Sequence, residues 1–221
     1  SKRGMCFMKN KRLLIKEANT IFLNGMFFKN PILVGALGLY PIVAAGYNLK
    51  NAAVISLLFL FISIPTSLLF CLIGEMIPLS VRPGLVLCGC ALFYIPAAWL
   101  TQRIIPGSIE SLGMLAGLMI CNSMILSRVN DYAPTHIGIA VFADAAGCSV
   151  GFALVICLVS VIRAAWLKSG IWQTNSGIYG TGEKGISLPF FGFILLGFLA
   201  AFVQSINKKR STKSAKRRAA K

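Results

Sequence analysis

Two apolar stretches of this chain are each interrupted near the middle by residues that break helices. The first is Asn30-Pro-Ile-Leu-Val-Gly-Ala-Leu-Gly-Leu-Tyr-Pro-Ile-Val-Ala-Ala-Gly46. The second runs from Glu110 to Arg128 and carries Gly113, Gly117 and Asn122. In hydrocarbon every backbone N–H and C=O needs a partner. An interruption there survives only where protein, water or a ligand satisfies the freed groups. Paired interrupted spans in the two halves of a chain mark a membrane protein built from inverted repeats, with its site where the broken helices meet.

Composition agrees. The chain is 57% hydrophobic and 13% charged, with a mean hydropathy of +0.78. Soluble domains run at roughly 45–50% apolar and about 25% charged. The net charge of +16 would suit nucleic acid, but its placement points elsewhere. Basic residues from Lys2 to Lys29 precede the first span, and those from Lys208 to Lys221 follow the last. Flanking basic residues stay on the cytoplasmic side and bind anionic lipid headgroups at about 1 kcal/mol each. Anionic lipid is therefore the expected contact, and nucleic acid is not. Of seven cysteines, all but Cys6 lie in apolar spans. They read as small buried hydrophobes, without a disulfide framework.

The organisation has three parts. Residues 1–29 form a basic amphipathic segment, with a helix from Ile15 to Phe28 lying at the cytoplasmic interface. No cleaved leader is expected in it. Residues 30–207 form the transmembrane domain. Its spans fall near 31–48, 52–73, 84–101, 108–127, 138–166 and 188–206, close to the roughly 20 residues a crossing needs. The fifth contains Asp144 and is expected to be broken or partly re-entrant. Residues 168–187 read as a loop. Residues 208–221 read as a disordered basic cytoplasmic tail. Six crossings place both basic termini in the cytoplasm. Arg82 and Arg128 then fall inside, and Lys50, Arg103, Arg163, Lys168 and Lys184 outside or at its interface. Leu37-Gly38 and Leu112-Gly113 are counterparts in the two halves. The expected fold is an all-α integral membrane protein of six transmembrane helices, in two inverted three-helix repeats with broken first and fourth helices.

A succession of short motifs then suggests a family. Phe22-Leu-Asn-Gly25, Asn30-Pro-Ile-Leu-Val34 and Leu37-Gly-Leu-Tyr-Pro41 come first. Ile77-Pro78 with Val81-Arg82 and Ile105-Pro-Gly107 with Ser111-Leu-Gly113 follow. Next come Asn122 with Leu126 and Arg128, the set Asp144, Gly147, Gly151 and Phe152, and Ile162-Arg163 with Ser169-Gly170. In this order, over residues 17–207, the chain resembles the RnfE/NqrD family. These are membrane subunits of the Rnf and sodium-translocating NADH:quinone reductase complexes. The resemblance implies a multi-pass subunit of the bacterial inner membrane in an ion-translocating electron-transport complex. It implies an inverted-topology membrane relative and flavin-bearing subunits as partners. It also implies an iron–sulfur centre in the membrane, to which this subunit and its relative each give two cysteines. Four thiolates suit such a centre. Here the family's ligand positions carry Tyr40 and Ser123, and Ala164 replaces an acid after Ile162-Arg163. No cofactor is therefore expected in this chain. Its scaffold fits the family, and its site chemistry has changed.

The candidate site is a polar pocket lined by Tyr40, Asn122, Ser123 and Asp144. Each residue also has a plainer reading. The Tyr40 hydroxyl could cap a carbonyl freed by Pro41, which lacks an N–H. Asp144 could be the N-cap of a helix opening at Ala145, or a functional intramembrane acid, as an ion or proton site or the partner of a cation. Gly38, Pro41, Gly113, Gly147 and Gly151 read as helix-break and packing positions, with Gly113, Gly147 and Gly151 on faces offered to the partner. Cys121 is a weak metal-ligand candidate, because two residues along a helix turn it about 200° from position 123. Cys88 and Cys90 point to different faces and read as packing. Glu75 and Glu110 read as headgroup contacts, and His136 as a loop residue. No nucleophile–base pair or metal-ligand set stands out, so no catalytic residue is assigned. Two other function classes remain: a small-solute or ion transporter reusing the scaffold, and a structural subunit without chemistry.

Overall fold

The computed structural model describes residues 18–23, 25–26, 31–46, 48–136, 138–166 and 189–219. Among these the regular structure is helical, with no strand. Helix α1 covers residues 18–23. Two short helices follow, α2 (Pro31–Gly35) and α3 (Leu39–Ala45). Long α4 (Leu49–Ile73) and α5 (Arg82–Ile104) come next. The second interrupted stretch is in pieces: α6 (Ser108–Leu112), α7 (Met114–Gly117), a 3-10 turn (Leu118–Cys121) and α8 (Ser123–Ser127). A π-helical turn (Arg128–Tyr132) leads from it. The chain closes with α9 (Gly138–Trp166) and α10 (Pro189–Ala219).

Leu49–Ile73, Arg82–Ile104 and Gly138–Ala165 are three helices long and apolar enough to cross a membrane. Phe190–Ile206 is apolar but shorter. Helix α4 is central. It packs along α9 and α5, burying Val54, Ile55, Leu58, Phe59 and Ile62 against Phe152, Ile156 and Val159. The Phe59 and Phe152 rings stack with centroids 4.5 Å apart. Helix α5 keeps Leu92, Ile95 and Trp99 exposed, a face suited to lipid. Helix α10 runs antiparallel to α2–α3. A Cβ on Gly192 would touch Val43 at 3.4 Å, and Gln204 Nε2 donates to Leu33 O at 3.2 Å.

Several expectations change. The fifth span is neither broken nor re-entrant, because α9 is continuous from Gly138 to Trp166. Its glycines lie among helix formers and carry no positive φ among the described residues. The tail is not disordered over its length, since α10 runs on as helix to Ala219. Lys, Arg and Ala, which fill that stretch, are strong helix formers even where no core is available. Gly147 is not offered to a partner. It is buried, and a Cβ there would lie 2.6 Å from Phe22 O, so its place in α9 is taken by the backbone of α1. Gly151 is buried as well. Gly113 alone of the three is exposed, with nothing within 4 Å of where a Cβ would sit. Residues 15–17, 24, 27 and 28 of the proposed amphipathic helix from Ile15 to Phe28, and the whole 168–187 loop, lie outside the described residues.

Candidate functional site

The two interruptions face each other. The first is three residues long, Ala36–Gly38, and two of them are left-handed: Ala36 with φ 53° and Gly38 with φ 67°. A left-handed non-glycine residue costs about 1–2 kcal/mol, so the bend at Ala36 is held by its surroundings. The amide of Leu37 reaches back to Pro31 O at 3.3 Å, closing α2. The next amide, Gly38 N–H, has no acceptor in its own helix. It donates instead to Ser123 Oγ at 2.9 Å, across a sequence separation of 85. The Tyr40 hydroxyl donates to Leu118 O on the 3-10 turn of the second stretch. Tyr40 therefore does not cap the carbonyl freed by Pro41; its ring, near the start of α3, points away from its own helix toward the facing break.

Asn122 closes the second interruption. It is 1% exposed, and its Oδ1 accepts from Met124 N at 2.9 Å, the bond of an N-cap. The same Oδ1 lies 3.1 Å from where a Cβ on Gly38 would sit. Glycine at 38 thus answers two demands, a left-handed φ and close approach of the neighbouring span. The buried Asn122 Nδ2 has no hydrogen-bond partner among the described residues. Cys121 is exposed beside this break. Cys88 is exposed and Cys90 buried, as two residues apart on a helix requires.

The far end of each broken stretch is tied down by an arginine from the other half. A helix leaves its last carbonyls unpaired. At the end of α3, Arg163 Nη1 donates to Val43 O at 3.0 Å, and Ser160 Oγ donates to Gly46 O at 3.0 Å. Both come from α9. At the end of the second stretch, Arg82 Nη1 donates to Asn130 O at 3.3 Å, while its Nη2 donates to Gly74 O at 2.7 Å and Ile77 O at 3.1 Å. Sequence reading missed both roles. It placed Arg163 outside or at the interface, yet Arg163 is 1% exposed. A basic residue following an apolar run reads as a topology signal. Only the unpaired carbonyls of a neighbouring broken helix reveal it as a buried cap.

Asp144 belongs to a different place. It lies inside continuous α9 rather than at a helix start, so it is not an N-cap. Its carboxylate pairs with Arg128 at 3.6 Å, the cation expected of a buried acid. Nearby, the Tyr132 and His136 rings stack at 3.8 Å. The Gly38–Ser123 and Tyr40–Leu118 bonds bring the two breaks together with Asn122 against Gly38, and Asp144 pairs with Arg128. A cleft of about 310 Å³ opens between α2 and the Arg128–Tyr132 turn, lined by Val34, Leu37, Ser127, Arg128 and Tyr132 among others.

An iron–sulfur centre does not fit the residues present at Tyr40 and Ser123. Iron–sulfur ligation calls for thiolates. Here both positions carry hydroxyls, and each hydroxyl is already engaged with backbone of the facing span. Asn122 Nδ2 is a donor and cannot ligate iron. Among the described residues no group of three or more His, Cys, Asp or Glu is placed to hold a metal ion.

Residues 18–204 match the family described as Rnf-Nqr subunit, membrane protein. The chain is similar to the E subunit of the proton-translocating ferredoxin:NAD(+) oxidoreductase complex of Clostridium ljungdahlii, 26% identical over 88% of this chain and 92% of the relative. It is similar to the E subunit of the ion-translocating oxidoreductase complex of Shewanella loihica, 26% identical over 84% and 86%. It is also similar to the D subunit of the Na(+)-translocating NADH-quinone reductase of Pseudoalteromonas translucida, 26% identical over 87% and 95%. With its long apolar helices, this makes it a multi-pass membrane protein. The resemblance first carried by Leu37–Pro41, Asn122 and the Asp144–Phe152 pattern is upheld: the chain belongs to the Rnf-Nqr subunit family of membrane proteins.

Proposed function

We propose that this chain is a membrane subunit of an Rnf/Nqr-type, ion-translocating electron-transport complex, and that it carries no catalytic centre of its own. The observation that carries this reading is the family match along residues 18–204, with relatives named as subunits of ion-translocating oxidoreductases. In this reading residues 30–207 cross the bacterial inner membrane six times as two inverted three-helix repeats. Both termini are cytoplasmic, and the basic ends contact anionic lipid. Two observations support the repeat. The interruptions meet at Gly38 and Ser123. The capping arginines are exchanged, Arg163 of the second half serving the first and Arg82 of the first half serving the second. The partners are a membrane subunit of inverted topology and flavin-bearing subunits. The broken spans give this subunit a rigid midplane wall, and the Arg128–Asp144 pair keeps a buried charge neutral within it.

The test is affinity purification of the full chain from its native membrane. Co-purification of integral-membrane and flavin-containing subunits, with loss of redox-driven ion translocation on deletion, is the expected result. A chain that purifies alone, whose deletion leaves that translocation intact, overturns the reading. One observation favours a second reading, a carrier for a small polar solute or ion. The unpartnered Asn122 Nδ2 could donate to a solute at the break. A solute-uptake defect on deletion, with redox-driven translocation unchanged, would support it.

A further inference from the structure

We propose that Tyr40 and Ser123 form a permanent hydrogen-bonded latch between the two broken spans, so that this chain offers no ligand to an iron–sulfur centre at the positions where its family resemblance would place one. The proposal rests on the family reading above for those positions, and on this chain's own contacts for the latch. The contacts are reciprocal. Tyr40 lies on the first span and donates to Leu118 O of the second. Ser123 lies on the second and accepts from Gly38 N–H of the first. Each break therefore gives one side chain to the other and receives one.

The chemistry follows from what each group would do without the latch. Gly38 N–H sits at a left-handed turn in a buried position, where an unpaired amide is costly. Leu118 O lies in a short 3-10 turn, whose geometry leaves carbonyls poorly paired. A cysteine at 123 would offer Gly38 only a weak acceptor. Serine oxygen is a stronger one. A cysteine at 40 is too short to reach the other span's carbonyl. The tyrosine ring spans that gap, and its phenol supplies the donor. Two exchanges thus convert a place that binds metal from both sides into one that closes by itself. Asn122 Oδ1, set 3.1 Å from the Gly38 Cβ position, keeps the two spans in register while the hydroxyls hold them together. A partner docking on this face meets a sealed turn instead of two free thiolates.

The native cysteines provide the readout. Cys90 is 1% exposed on α5, the helix packed against the Leu118–Cys121 turn. Cys148 is equally buried but lies on α9 against Gly25. With the full chain in lipid nanodiscs, peptide-resolved alkylation by a maleimide reports local opening at each. Tyr40→Phe and Ser123→Ala should each speed modification of Cys90 several-fold, up to about tenfold for one lost hydrogen bond, and leave Cys148 unchanged. Ser123→Thr, which keeps the hydroxyl, should stay at the wild-type rate. Anaerobic reconstitution with ferrous iron and sulfide should leave the wild-type chain with no more iron than Cys121→Ser. Unchanged Cys90 protection in both hydroxyl-less variants overturns the latch. Stoichiometric iron and acid-labile sulfide that disappear in Cys121→Ser overturn the absence of a ligand. Neither readout depends on partner subunits, so an error in the proposed function would show in the co-purification and not here.

Discussion

The two broken spans solve one problem by different means. The first turns within three residues, Ala36–Gly38, and uses two left-handed conformations to do so. It has no polar side chain of its own to satisfy the freed Gly38 amide and borrows Ser123. The second is divided into several short pieces. Gly113, with φ 51°, turns in open space, and Asn122 supplies an N-cap from within the span. The first break is therefore tight and dependent; the second is loose and largely self-capped. A backbone interruption in a membrane need not be paired locally, provided a second interruption stands opposite with the complementary groups. The same exchange recurs at the far ends, where Arg163 and Arg82 each serve the other half.

The dependence of the first break on the second half can be challenged most strongly at Arg163. Arg163→Ala removes a fully buried side chain and the donor to Val43 O. It should lower stability by about 3 kcal/mol or more, seen as a large drop in the thermal unfolding midpoint in detergent. Arg163→Lys should recover part of it. A small effect for both would mean the first span holds itself. Gly38→Ala comes next. It combines a left-handed φ with a 3.1 Å approach to Asn122 Oδ1 and should cost about 1–3 kcal/mol. It should also expose Cys90 to alkylation, because it disturbs the contact between spans. Gly113→Ala is strained in conformation only, so it should lower the midpoint without altering Cys90. Equal loss of Cys90 protection in the two glycine variants would erase the distinction between a tight and a loose break.

Smaller effects sharpen the same contrast. Asn122→Ala should cost about 1 kcal/mol through the lost cap, with Asn122→Ser restoring most of it; denaturant titration in micelles measures both. If Asn122→Ser behaves like alanine, the cap is not what holds the second break. Ala36→Gly should be the mildest, a gain of up to about 1 kcal/mol from relief of the left-handed alanine. A loss of stability there would show that the bend is set elsewhere.

The helical class, the limits of the long spans and the positions of both interruptions were legible because they are local properties. Apolar length, Gly and Pro placement, and flanking charge are written in consecutive residues. Tyr40, Asn122 and Ser123 were expected to line one pocket because paired breaks must meet; the contacts seen are Gly38 with Ser123 and Tyr40 with Leu118. What was not legible depends on groups far along the chain. Asp144 in a Gly-rich stretch looks like a cap until Arg128 appears beside it at 3.6 Å. Gly147 looks like a helix–helix contact for another protein until the backbone of Phe22 fills its notch. Arg163 looks like an interfacial anchor because nothing adjacent in sequence shows the open carbonyl of Val43. The reach of the Tyr40 hydroxyl to Leu118 depends on which way a ring at a bend turns, and no pattern of neighbours fixes that.

The most direct test is a density map of the chain within its native membrane assembly, at a resolution that shows side chains. The expected map has the Ala36–Gly38 and Cys121–Ser123 turns side by side, Ser123 Oγ against the Gly38 amide, the Tyr40 hydroxyl on Leu118 O, and no metal density between them. Continuous helices through both stretches, turns lying far apart, or a metal held there by Cys121 would contradict it.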